Sequence, residues 1–211
     1  MRVLPILFNT EMVRAILDER KCCTRRICKD ANECTVPDMD FFDADKRTYA
    51  VHNFADRQHM VKLSIAERTC PICPGDILYV RETWGEGYEE GTYIYKADDK
   101  LANLPRFSES SKLIYHPSIH MPKEAARIWL RVTNVRVERL QDITSQGAWK
   151  EGARCACLSP VPDCAGNKTA FIEIWNSTIQ KSDLDRYGWY ANPWVWVVEF
   201  ERCEKPEDNQ N

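Results

Sequence analysis

The sequence predicts a mixed α+β fold, a β-barrel with helices at its ends. Segments rich in β-branched and aromatic residues fall at 77–84, 92–97, 127–140 and 194–202. Amphipathic helical spacing appears near residues 10–20 and 168–179. The order helix, strands, long strand, helices, strand is that of a barrel closed by helices.

Taken in order, Met1 to Phe8 reads as an entry strand or extended segment. Thr10 reads as the N-cap of a helix over about 10–20, with Met12, Val13, Ile16 and Leu17 on its apolar face. Arg20, Lys21, Arg25 and Arg26 then follow at its end, where cations complement the helix dipole. Asp30 to Asp45 is acidic and holds Pro37, so a loop or insertion is expected there. Short strands are expected at Thr48–Phe54 and Met60–Ile65. Pro74-Gly75-Asp76 is a turn, and Ile77 to Trp84 reads as one strand. Gly85 to Gly91 links it to a second strand at Thr92–Ala97. Arg127 to Leu140 alternates cleanly, with one slip at Asn134 that implies a bulge or bend. Thr144 caps a short helix reaching about Gly152. The helix at 168–179 carries Phe171, Ile174, Trp175 and Ile179 on one face. Asn192-Pro193 turns the chain into a last strand, Trp194–Arg202. The whole reads as a single domain over 1–204, with insertions at about 27–69 and 153–167 and a disordered tail at 205–211.

Composition bounds the function. The 211 residues are 44% hydrophobic, enough for a substantial core, and carry a net charge of −3. No global basic field exists to hold duplex nucleic acid, so any such contact must come from a local patch or pocket. The N-terminal apolar run is only Val3 to Phe8 and is broken by Pro5, so neither a signal peptide nor a membrane helix is expected. Ten cysteines fall below the roughly 8–10% that marks a secreted disulfide scaffold. A cytoplasmic protein with reduced thiols is the expectation.

Two clusters carry chemistry. In Lys21-Cys22-Cys23-Thr24-Arg25-Arg26, a helical or turn backbone would put Lys21 and Thr24 on one face. A threonine hydroxyl is a nucleophile only if a base takes its proton, and a lysine whose pKa is lowered can do so. Arg25 or Arg26 would bind a phosphate or carbonyl oxygen; an ordinary basic helix end has the same pattern. In Val80-Arg81-Glu82-Thr83-Trp84, a glutamate among apolar strand residues can face a pocket and shuttle protons. Trp84, two residues on, would share its face and stack on a base, although a core tryptophan fits equally.

The cysteines offer a metal reading. Cys70-Pro-Ile-Cys73 has zinc-knuckle spacing, and Cys155-Ala-Cys157 with Cys164 would complete a four-thiolate site. The second half lacks regular spacing, so ordinary thiols are favoured and no metal or other cofactor is assigned. His52, His59, His116 and His120 show no zinc-protease spacing and read as surface or structural residues.

The stretch from Pro5 to Arg26 resembles the opening of ASCH proteins, whose motif is Gly-x-Lys-x-x-Thr-x-Arg. Lys21, Thr24 and Arg26 match it, and Glu19 stands at the glycine position. The segments from Pro74 to Trp84, from Ser118 to Ile143 and from Ala191 to Phe200 resemble the longer members of phages and prophages. The resemblance implies a PUA-like barrel and a link to RNA or modified nucleosides. Small bacterial members with a similar motif are N4-acetylcytidine amidohydrolases. By that resemblance Thr24 is the nucleophile, Lys21 its base and Glu82 the residue handling the proton on the leaving amine. Arg26 and Trp84 are expected to bind substrate. If the motif glycine needs a positive φ, Glu19 is strained there. The expected partner is a nucleoside or RNA, with no membrane. The alternatives are a binding module without chemistry, or a phage accessory protein that binds a host partner.

Overall fold

The computed structural model describes residues 1–29, 35–54, 62–87, 89–99, 114–158 and 161–207. The chain is mixed α+β, as expected, and divides into two compact units. One unit comprises Met1–Arg20, Gly75–Arg131 and Glu201–Asn211; the other comprises Lys21–Pro74 and Val132–Phe200. No helix among the described residues is long and apolar enough to cross a membrane.

In the first unit, β1 (Val3–Leu7) lies parallel to β6 (Ile77–Arg81), with Val3 opposite Ile77. The other edge of β6 pairs antiparallel with the start of β9 (Trp129–Arg139). Asp76, fully buried, accepts hydrogen bonds from the backbone N–H and the guanidinium of Arg2 (3.0 and 3.2 Å) and so ties the two strand starts together. α1 (Thr10–Leu17) buries Val13, Ala15 and Ile16. Its cap is Asn9, one residue before the expected Thr10, because the Asn9 side-chain oxygen Oδ1 accepts from the N–H of Met12 at 2.9 Å. The helix also stops earlier than expected. Arg20 N donates to Ala15 O and Glu19 N to Ile16 O, which is a Schellman ending. Such an ending needs a left-handed residue, and Glu19 takes that place with φ +58°.

The expected strand 77–84 is two elements. β6 ends at Arg81, and β7 (Trp84–Glu86) pairs with β8 (Tyr93–Tyr95) in a separate ribbon. Glu86 is therefore strand rather than link. Ile77, Trp84, Met121, Ala125, Ala126 and Trp129 form this unit's apolar cluster.

In the second unit, β10 (Trp194–Cys203) runs between β9 and β2 (Cys23–Ile27), antiparallel to β2 with Val198 opposite Thr24. A second sheet has β4 (Thr48–Phe54) flanked by β3 (Thr35–Asp43) and β5 (Lys62–Thr69). β3 overturns the expected loop at 30–45: it gains its ladder from β4 despite Pro37 and three aspartates, since partner pairing outweighs local propensity. Residues 30–34, Met60 and His59 lie outside the described residues, as does 208–211 of the expected tail.

Thr144 caps α2 (Ser145–Lys150) as expected, accepting from Gly147 N at 2.9 Å. α3 (Ala165–Thr178) starts three residues before the expected Lys168. Asn167, Phe171 and Trp175 form its buried stripe, while Ile174 is exposed: the four-residue step from Asn167 places Ile174 at the stripe's edge. α4 (Leu184–Tyr187) follows. Val195 and Val197 of β10 pack with Leu140, Ile143, Ala148, Phe171, Trp175 and Trp189 in this unit's core.

Candidate functional site

Lys21, Thr24 and Arg26 lie in the second unit, and Glu82 and Trp84 in the first. The helical or turn geometry expected for Lys21 and Thr24 is not found. Lys21 precedes β2, while Thr24, Arg25 and Arg26 are strand residues hydrogen-bonded to β10. On a strand, alternate residues share a face. Thr24 and Arg26 therefore share one face with Val198 and Trp196, and Cys23 and Arg25 share the other with Glu199 and Val197.

The face bearing Arg25 holds a charge network, buried at Lys21, Arg25 and Glu151 and partly exposed at Arg136 and Glu199. Lys21 Nζ donates to Glu151 Oε2 at 2.6 Å and to the Glu151 carbonyl at 3.0 Å. Arg25 Nη1 reaches Glu151 Oε1 at 3.1 Å, and its Nε donates to Glu138 at 3.0 Å. Arg136 joins Glu138 (3.2 Å) to Glu199 (2.6 Å). Three cations alternate with three carboxylates, so the cluster is neutral as a whole. Balance of this kind is what allows charged groups to be buried. Partial burial acts against the Glu199 carboxylate, yet the Arg136 hydrogen bond holds its pKa below the ordinary range. Cys23 beside the network is an inert thiol: burial first, then Glu151, pushes it up to about 12.

The opposite face carries a cavity of about 260 Å³ lined by Arg26, Ile27, Lys29, Pro71, Trp196 and Val198, among others. Its lining is largely apolar with two cationic residues. Trp196 is fixed there edge-on to Tyr49, ring centres 5.0 Å apart. Burial lowers the pKa of Arg26, and the Glu151 carboxylate works against that shift. Thr24 is 2% exposed.

Glu82 sits in the break between β6 and β7. Its N–H meets the Met121 sulfur at 3.2 Å. The carboxylate is buried and grips Arg127 with both oxygens, at 2.9 and 3.1 Å. Arg127 also donates to Asp98 (2.6 Å) and lies over the Tyr95 ring at 3.9 Å. Burial raises the Glu82 pKa, and the Arg127 hydrogen bonds offset this only in part. Because the strand ends at Arg81, the expected shared strand face of Glu82 and Trp84 is lost. Trp84 instead bridges to His116 and packs against its ring at 5.3 Å. Trp84 is buried, and its indole N–H has no acceptor among the described residues.

Cys155 and Cys157 are joined in a disulfide, which departs from the reduced thiols expected throughout. Their one-residue spacing is what brings the two sulfurs together. Cys164 lies close by, whereas Cys70 and Cys73 are not part of that cluster. His52 is bonded to Asp38 at 2.7 Å. The sequence reading missed Glu138, Glu151 and Glu199. No protein-family model, curated protein or solved structure matches the chain.

Proposed function

We propose that this chain is a nucleoside- or RNA-related hydrolase of the ASCH type, deacylating N4-acetylcytidine or a similar nucleobase amide. The observation that carries the reading is the placement of Thr24, a residue 2% exposed, on the strand face that also bears Arg26, Trp196 and Val198. Those three residues line a largely apolar cavity with room for a pyrimidine.

By the resemblance, Thr24 Oγ1 attacks the acyl carbon and the proton it loses passes to Lys21 Nζ, whose contacts in the structure lie with Glu151 in the network on the Arg25 face. Collapse of the tetrahedral intermediate breaks the C–N bond and leaves an acyl-threonine. The resemblance assigns the proton on the departing amine to Glu82, and a buried carboxyl held above its ordinary pKa suits that exchange. Water then cleaves the ester, releasing acetate and restoring the hydroxyl. Arg26, a partly desolvated cation, is suited to the carbonyl oxygen of the base. The buried N–H of Trp84 is suited to a ligand acceptor. The PUA-like barrel belongs to the same proposal.

One observation favours a second reading, a base-binding module without chemistry. Lys21 is ion-paired to Glu151, and an ammonium so held is a donor rather than a base. Incubation with N4-acetylcytidine followed by chromatography separates the two. Cytidine and acetate in equal amounts support the hydrolase. Saturable binding that depends on Arg26 and Trp84, with no product, supports the module.

A further inference from the structure

We propose that Cys155, Cys157 and Cys164, once reduced, form a three-thiolate site for a thiophilic divalent cation, zinc in the first instance. The three sulfurs lie within 4.8 Å of one another. A disulfide accounts for two of them and leaves the third unexplained. Tetrahedral zinc with Zn–S bonds of about 2.3 Å places its sulfurs roughly 3.8 Å apart. The Cys157 and Cys164 sulfurs are 3.8 Å apart.

The surrounding residues hold this loop in shape. Asn167, fully buried, accepts from the N–H of Cys155 at 3.0 Å and donates to the carbonyls of Val161 and Pro162 at 2.8 and 3.1 Å. One side chain thus clamps the segments that carry Cys155 and Cys164. Gly166 lets them close up, since a Cβ there would stand 2.6 Å from the Cβ of Cys155. Cys164 is the N-cap residue of the 14-residue helix α3, whose positive end favours a thiolate. Neither Asn167 nor Gly166 touches the charge network or the cavity on the other strand face.

The chemistry balances with a thiol reductant. Two electrons and two protons convert the Cys155–Cys157 disulfide into two thiols, and the reductant becomes a disulfide. The cation then displaces three protons as the three sulfurs ligate it. The fourth position is left to water or an outside ligand.

The test is metal binding by the full chain, purified with a phosphine reductant and no chelator. Mass-spectrometric metal analysis should find one zinc per chain. Replacement by cobalt(II) should produce the thiolate-to-cobalt charge-transfer band. Cys164→Ser should lose at least nine-tenths of the metal and, because serine is a good N-cap, keep α3 folded by circular dichroism. Asn167→Ala should weaken zinc affinity about 10–100-fold, as loss of a supporting partner does. Cys70→Ser should bind as the wild type. Absence of both stoichiometric zinc and the cobalt band in reduced protein overturns the proposal. So does full occupancy in Cys164→Ser.

Discussion

The ammonium of Lys21 lies 2.6 Å from a carboxylate oxygen of Glu151, and both side chains are buried. Glu151 also takes Arg25, so one carboxylate serves two cations. Removing one member of a buried ion pair leaves the others uncompensated, which costs about 3–5 kcal/mol. Glu151→Ala should therefore lose about that much in urea unfolding. Lys21→Met should cost less, because Arg25 still neutralises Glu151. Equal effects would show that the pair is solvated.

Glu19 holds a left-handed conformation that an L-residue adopts at a cost of about 1 kcal/mol or more. Glu19→Gly should stabilise the chain by about 1 kcal/mol and raise Tm by roughly 2–4 °C. A lower Tm in calorimetry would show that the Glu19 side chain contributes more than its backbone costs.

Glu82 and Glu199 should pull stability in opposite directions with pH. The folded pKa of Glu82 is raised, so its contribution is full below the ordinary carboxyl pKa and is lost as pH rises through the folded value. That of Glu199 is lowered, so its contribution is present above the ordinary value and is lost as pH falls through the folded one. Between Tm–pH curves, Glu82→Gln should remove a decline that sets in as pH rises past the ordinary carboxyl value, and Glu199→Gln one that sets in as pH falls below it. Parallel curves for wild type and variants would contradict both assignments.

Filling the cavity should separate binding from stability. Val198→Phe projects into the space bounded by Arg26 and Trp196. It should lower affinity for N4-acetylcytidine at least tenfold in titration calorimetry, with stability within about 1–3 kcal/mol of wild type. Unchanged affinity would place the base elsewhere.

Much of this was legible in the sequence, and the exceptions share a cause. β10, β9 and α2 announce themselves through alternation and a capping threonine. The strain at Glu19 was readable from the glycine its position requires. β2 was hidden because Lys21 to Arg26 is polar, and its strand character comes from pairing with β10. Glu151 was hidden because its partner Lys21 is 130 residues away in the chain. β3 contradicted its own composition because β4 supplied the ladder. In each case a non-local partner overrode the local pattern.

Thr24 carries the proposed chemistry, so its removal is the most direct test. Cytidine release from N4-acetylcytidine should be compared for wild type, Thr24→Ser and Thr24→Ala, each checked for fold by circular dichroism. The account predicts turnover by wild type, reduced but measurable turnover by Thr24→Ser, and a loss of at least 10³-fold in kcat for folded Thr24→Ala, on the order of losing a nucleophile. Full turnover by Thr24→Ala, or none by wild type, contradicts it.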